Sequence, residues 1–472
     1  MKTSLNKLAI ATLLSCATFG LQAQALRTGY FSESYIYRHQ INPALANEDG
    51  YVSFPILGQM GASVGTNFGV KDLIYKRADG SLTTFMNDEV SSNKFHNNVT
   101  KNPMLNAEYD MTLISVGFNT THAYNTIELG LHTRVGLTID KDLLYFMKDM
   151  KSDVTYDLSD TKATGMMWAD LAYGQSRQIT DQLRVGAKVK FLFGLAYADA
   201  NLDGSYTRFG TDSWIVNSKG TLNIAAGGEM TTKDYTNEMS GYDDAKGGLA
   251  GFGMAFDLGA TYDFNDIVPG LSASAALTDL GWLKWDCAQA AADNRQFSFD
   301  GFNSLKLHDG EGTVTNGKSG YTDGSIDEQM KRIEDDLEDM AKFEVVSQSK
   351  KVSESIGATA TIGAEYKLPV YPKISFGALY NQRFSKAFGY AEGRLVVNYA
   401  PSHIFDMAFS GTASTFGAGI GGILNLHVTG FNIFLGVDRL YVGAVNSDNV
   451  PLEKCSSAVS FGMNFPFGRS KK

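Results

Sequence analysis

The sequence predicts an all-β chain, a transmembrane antiparallel β-barrel of about fourteen strands. It also predicts an N-terminal lumen plug and long extracellular loops. Three observations lead there. Long segments alternate apolar with small or polar side chains, the connections between them are alternately long and short, and the first residues read as an export signal.

The alternation comes first because it sets the strand faces. Phe252, Met254, Phe256, Leu258, Ala260, Tyr262 and Phe264 share one parity, while Gly253, Ala255, Asp257, Gly259, Thr261 and Asp263 share the other. Successive side chains of a strand point to opposite faces, so one face is apolar and the other small or polar. Leu183 to Leu195 against Arg184, Gly186, Lys188 and Lys190 repeat the pattern, as do 356–366 and 416–428. The last such segment sets Val459, Phe461, Met463, Phe465 and Phe467 against Ser460, Gly462, Asn464 and Pro466. Soluble β-sandwiches alternate too. These segments, however, run to about 10–14 residues against the usual 5–6. A tilted strand crosses a bilayer in about 9–11.

Composition agrees. Of 472 residues, 49 are Gly and only 9 are Pro, with 12% aromatic and 19% charged, a balance that suits long strands. No internal apolar run is long enough for a membrane helix, which leaves a barrel open. Lys2 and Lys7, an apolar stretch from Leu8 to Leu21 and Ala23-Gln24-Ala25 give 1–23 the form of a signal peptide. Its removal leaves Cys287 and Cys455, too few for a disulfide framework though enough for one bridge. The remaining net charge, about −12 from 39 basic and 51 acidic residues, argues against nucleic-acid partners.

Strands are expected at 51–66, 109–120, 124–138, 166–178, 183–198, 250–263, 269–280, 355–367, 373–384, 388–400, 403–412, 416–428, 430–441 and 456–467. The long connections 67–108, 139–165, 199–249 and 281–354 follow strands one, three, five and seven, so all lie at one end. Outer-membrane barrels keep short turns in the periplasm and long loops outside. Parity therefore puts both termini in the periplasm and makes 199–249 and 281–354 extracellular insertions of a barrel spanning 51–468. A pairwise miscount near 40–66 or 281–304 leaves twelve or sixteen strands open. Helices are expected at 325–343, from a capping box and helical apolar spacing, and at 140–150.

Residues 24–50 are too polar for another lipid-facing strand. They contain Tyr37-Arg38-His39-Gln40-Ile41-Asn42-Pro43-Ala44-Leu45. An Asn-Pro-Ala-Leu segment ahead of a barrel resembles the N-terminal hatch of FadL-type long-chain fatty-acid channels. That resemblance implies fourteen strands, a periplasmic N-terminus folded into the lumen, and a gating role for Asn42, Pro43 and Ala44. Most of the chain is similar to an uncharacterised Bacteroidetes outer-membrane barrel family grouped with FadL-like and PorV-like proteins. Residues 26–31 (Leu-Arg-Thr-Gly-Tyr-Phe), 37–45, 50–52 and 461–468 carry that likeness.

Motifs with chemistry dissolve on inspection. Gly61-Ala62-Ser63-Val64-Gly65 fits a nucleophile elbow but lies in a strand with no following helix. Gly417 to Gly422 fits a dinucleotide loop, yet the alternation runs on to Val428. Asp199, Asn201 and Asp203 match the start of a calcium loop whose twelfth position is Gly210, so they are a candidate metal set without its bidentate ligand. His132, Arg134, Lys188, Lys190, Asp257 and Glu365 fall on the polar faces and are expected to line the lumen. No enzyme and no cofactor are expected. The reading is a channel for small hydrophobic molecules, set in outer-membrane lipid and gated by 24–50. The alternative is a non-conducting PorV-like barrel that binds a surface protein through its external loops.

Overall fold

The computed structural model describes residues 26–47, 49–55, 57–77, 82–149, 151–203, 205–209, 214–243, 248–299, 342–428, 430–441, 454 and 456–467. The expected signal peptide 1–23 with Cys16, Cys455, and all but the last two residues of the helix expected over 325–343 lie outside them.

Fourteen antiparallel strands close into one ring. Strand β1 comes in two pieces, Gly50–Ser53 and Met60–Thr66. Then follow β2 (Met104–Asn119), β3 (Tyr124–Thr138), β4 (Lys162–Gln178), β5 (Leu183–Asn201), β6 (Gly251–Asp263) and β7 (Leu271–Phe299). Strand β8 is again in two pieces, Glu344–Ser355 and Ala358–Lys367. Strands β9 (Ile374–Phe384), β10 (Tyr390–Tyr399), β11 (Phe405–Ser414), β12 (Gly417–Val428), β13 (Phe431–Tyr441) and β14 (Ser456–Phe467) complete the order. Each pairs with the next, and β14 pairs with both pieces of β1, so the sheet has no free edge within the ring. Every expected strand is present.

The outer face is apolar because of the alternation. Phe252, Met254, Phe256, Leu258 and Tyr262 of β6 are exposed, as are Leu395 and Val397 of β10 and Phe409 of β11. On β5 the outward apolar parity runs from Leu183 to Leu195. At about 3.3 Å per residue and a tilt near 40°, that is a band roughly 30 Å tall.

The largest departures from the sequence reading are at β7 and β8, in 199–249 and in β1. Strand β7 continues to Phe299 rather than ending at 280, and β8 begins at Glu344. Beyond Trp282 the outward residues become Lys284 and Asp286, while the opposite face turns apolar with Leu283, Trp285 and Cys287 buried. The strand leaves the apolar band there, the polarity of its faces inverts, and the alternation no longer reads as one strand. Likewise 199–249 is not one loop. It contains strands 206–209, 214–225, 229–232 and 239–243, and 214–225 pairs with both β5 and β7 to extend the sheet past the ring. Strand β1 is interrupted over 54–59, where Pro55 offers no N–H to a ladder. A helix occupies Lys141–Asp149.

Candidate functional site: the occupied lumen

The inward face of β5 reads the interior layer by layer. A Cβ at Gly186 would lie 2.2 Å from the Pro43 carbonyl carbon, so the N-terminal segment rests directly on this strand. Two residues on, Lys188 pairs with Glu128 of β3. Two further, Lys190 bridges Asp257 (2.9 Å) and Asp279 (2.6 Å). Next come Leu192, buried, and Gly194, which would meet the Trp285 ring. Tyr197 then stacks on Trp285 at 5.1 Å. The order is N-terminal segment, charged belt, apolar cap. Strand β3 repeats it: Tyr124 beside Asn47, then Glu128, His132 and Arg134, then Gly136 against the Ala387 backbone.

The N-terminal segment touches strands on opposite arcs of the ring, which places it inside. Arg27 and Thr28 donate their backbone N–H groups to the two oxygens of Asp438 (2.7 and 3.0 Å). Ser32 donates to Asp406 at 2.8 Å, and Ser34 bonds the same carboxylate. His39 faces the Ile36 carbonyl (2.8 Å) and Glu128 (3.1 Å), and Gln40 donates to Glu128 at 2.9 Å. Wall carboxylates thus recur as acceptors for donors of the segment. Between these ties, Leu26, Tyr30, Tyr35, Tyr37 and Ile41 pack with Leu379, Val396, Ile423 and Phe434 of the wall. Burial pushes the Tyr35 and Tyr37 hydroxyls up, which keeps both neutral. Partial burial works against the Glu33 charge, but Lys367 outweighs it and holds the carboxyl below its ordinary value.

Asn42, Pro43 and Ala44 form one tight turn. Asn42 Oδ1 accepts from the Ala44 N–H (3.0 Å) and its Nδ2 donates to the Tyr30 hydroxyl (2.9 Å). The turn lies on two wall glycines, Gly186 and Gly259, whose missing side chains leave the space it fills.

The belt is dense in ion pairs. His132 sits between Asp110 (2.6 Å) and Asp170 (3.1 Å) and stacks on Trp168. Arg134 reaches Asp110 (2.7 Å) and Glu108 (3.5 Å), and Arg383 also meets Glu108. On the other arc Arg394 joins Glu392 (2.9 Å) to Asp438 (2.8 Å), and Arg439 approaches Glu392 at 3.5 Å. A cavity of about 110 Å³ remains in the belt, with Arg27 and Gln40 among its lining residues on one side and Trp168 and Ile356 on another.

Two β-bulges build this belt. Register shifts opposite Asp257 and opposite Gly421 each insert one residue, in β7 and in β13. The inserted steps carry Asp279 (φ 58°) and Arg439 (φ 57°), both left-handed although neither is glycine. Each bulge turns two neighbours inward, Thr278 with Asp279 and Asp438 with Arg439, where a regular strand would turn one. Strain of this kind persists only where its surroundings over-determine it. Here the surroundings are Lys190 for the first and Glu392 for the second.

The structure sets His132, Arg134, Lys188, Lys190 and Asp257 together in the belt. Glu365 stands apart, at the mouth where the turns are short, beside the Lys367–Glu33 pair. Sequence reasoning missed Glu108, Asp110, Asp170, Asp279, Arg383, Glu392, Arg394, Asp438 and Arg439. Glu392 and Arg394 carried a legible signal, two charges at spacing two on a polar face. Asp438 and Arg439 carried none, because adjacent residues of a regular strand face opposite ways. Asp199 and Asn201 end a strand paired on both sides, Asp199 accepts from Thr164 (2.8 Å), and extended backbone cannot wrap an ion. Among the described residues no His, Cys, Asp and Glu set could hold a metal.

Ring, belt and enclosed segment together define a closed β-barrel with an occupied lumen. Residues 43–438 match the model of DUF5723, a family of unknown function, and the chain belongs to that family. No curated protein matches. Among solved structures, the chain is similar to a deletion mutant of the TodX monoaromatic hydrocarbon channel (10% identity, 95% of this chain, 96% of that one, TM-score 0.41). It is also similar to the P. putida toluene transporter TodX (11%, 91% and 93%, 0.38) and a Pseudomonas aeruginosa FadL homologue (10%, 95% and 99%, 0.38). Identities this low and TM-scores under 0.5 leave the function to be argued from this chain's own geometry.

Proposed function

We propose that this protein is an outer-membrane barrel that passes a small hydrophobic molecule and is gated by its N-terminal segment. The carrying observation is the segment itself, which crosses the ring and is tied by donors to Asp438, Asp406 and Glu128. The band of exposed Phe, Leu, Val and Tyr around the ring supports the lipid setting, and the short-turn parity supports periplasmic termini. Asn42, Pro43 and Ala44 act as the hinge-side seat of this hatch. The charged belt blocks an apolar path straight down the axis. The interrupted β1 offers a side exit at the level of the segment, since Gln59, the last residue of the break, accepts from Tyr35. In liposomes, the full chain is expected to be tight to a small aromatic probe and a 24–45 deletion leaky. Equal, absent flux in both forms would sink the reading.

One observation favours a second reading, a barrel that holds a protein partner. The sheet continues past the ring as a platform with its own core, including Met230, Ala288, Ala290 and Phe343. Photo-crosslinkers on this platform are then expected to capture one specific outer-membrane protein, and diffuse labelling alone would count against it.

A further inference from the structure

Along the inner face, cations come with carboxylates. Arg27, Arg134, Lys188, Lys190, Arg383, Arg394 and Arg439 all have an acidic partner within 4 Å. Arg38 and Arg184 do not, among the described residues. The two arginines flank one turn. Arg38 Nη2 donates to the Ala46 carbonyl at 3.1 Å. Arg184 Nη1 donates to Ser176 Oγ at 3.4 Å, and that hydroxyl donates to the Ala44 carbonyl at 2.9 Å. Both bonds are to neutral oxygens, and Arg38 Nε is buried with no partner.

Tyr124 stands beside them, 2% exposed, with its hydroxyl accepting from Asn47 at 3.2 Å. It shares with Arg184 a mouth pocket of about 600 Å³, whose wall also includes Arg177, His122 and Gln178 and no carboxylate. In a chain of net charge −10, a pocket lined only by donors and neutral groups is out of character. Two guanidiniums on a shared turn repel each other, and the ordinary remedy in this molecule, an Asp or Glu within 4 Å, is absent here among the described residues, since Glu33 and Glu365 act on Arg38 only from farther away. Planar guanidiniums match oxyanions in paired hydrogen bonds.

We propose that Arg38 and Arg184 form an oxyanion site that pins the N-terminal segment to β5, taking a phosphate- or carboxylate-type group. A bound oxyanion cancels the repulsion across the Ala44–Ala46 turn and so fastens the segment to the wall. The site stands whether or not the barrel conducts. Its oxyanion comes either from solution or from the headgroup of an anionic lipid at the rim, where Arg177 lies.

The test uses the full chain in a neutral detergent, titrated calorimetrically with inorganic phosphate. A parallel arm compares retention of phosphatidylglycerol and phosphatidylcholine in nanodiscs. Saturable phosphate binding, weakened at least tenfold by Arg184→Gln and by Arg38→Gln, supports a free oxyanion. Selective phosphatidylglycerol retention, lost in the same variants, supports the headgroup. Arg184→Lys keeps the charge without the fork and is expected to lose several-fold, which keeps the test readable if a glutamine variant fails to fold. Neither phosphate nor phosphatidylglycerol binding in the wild type, or binding indifferent to all three substitutions, overturns the site.

Discussion

Arg394→Met is expected to destabilise the folded barrel by about 3–5 kcal/mol, the usual cost of removing one partner from a buried charge group. Arg394 is fully buried, and its guanidinium joins Glu392 at 2.9 Å and Asp438 at 2.8 Å. It also donates to Thr28 (2.6 Å) and Ser410 (2.8 Å). Methionine fills a similar volume but leaves two carboxylates facing each other with Arg439 and Arg27 as distant compensation, at 3.5 and 3.9 Å from Glu392. Asp438 is also the acceptor for the first turn of the N-terminal segment, so the same change loosens Arg27 and Thr28. The check is urea unfolding in lipid vesicles, with intrinsic tryptophan fluorescence as readout. The control is Lys351→Ala, which breaks the Asp286–Lys351 pair at 2.7 Å, where the two side chains are 48% and 72% exposed. An exposed pair contributes about 0–1 kcal/mol. If the two substitutions cost the same, the buried cluster does not hold the ring and segment together.

The ring was legible in the sequence because lipid-facing and inward-facing residues alternate along almost every strand. Phe252 to Tyr262 and Leu183 to Leu195 state their outer faces residue by residue. The alternation fails where the strand's surroundings change. Past Trp282 the outer face meets water rather than an apolar phase, so Lys284 and Asp286 stand where Leu280 and Trp282 stood. At Gly357, with φ 93°, the parity slips and Ile356 turns inward although it continues the apolar series of β8. The charged belt was legible only in part. Lys188, Lys190, Asp257, His132 and Arg134 lie on polar faces that period two exposes. The partners that fix them come from strands far along the chain, such as Arg383 for Glu108, and from bulges that a periodic pattern cannot register.

Gly186→Val is expected to unseat the N-terminal segment while leaving the barrel closed. The reason is where the added atoms would go. A Cβ at Gly186 falls 2.2 Å from the Pro43 carbonyl carbon and oxygen and 2.4 Å from the Ala44 nitrogen, all backbone, which cannot rotate aside. The strand tolerates valine, which suits extended backbone, so the clash is relieved by lifting the Asn42–Ala44 turn. Overpacking of this kind costs about 1–3 kcal/mol. Set against the docked state, that raises the released population roughly 5- to 150-fold. Gly259→Ala strains the same turn through Asn42 Oδ1, the tip of a side chain that can move, and its effect is expected to be smaller. Gly393→Ala, whose Cβ would meet nothing within 4 Å, is expected to be silent. The measurement is limited proteolysis of folded barrels at the Arg27 and Arg38 peptide bonds, with heat-modifiable migration reporting the closed ring. Faster cleavage in the order Gly186→Val, then Gly259→Ala, then wild type with Gly393→Ala ties segment docking to these two glycines. Uniform protection across the series would mean that the carboxylate ties to Asp438, Asp406 and Glu128 hold the segment without its seat, and that the Asn42–Ala44 turn is not where it lets go.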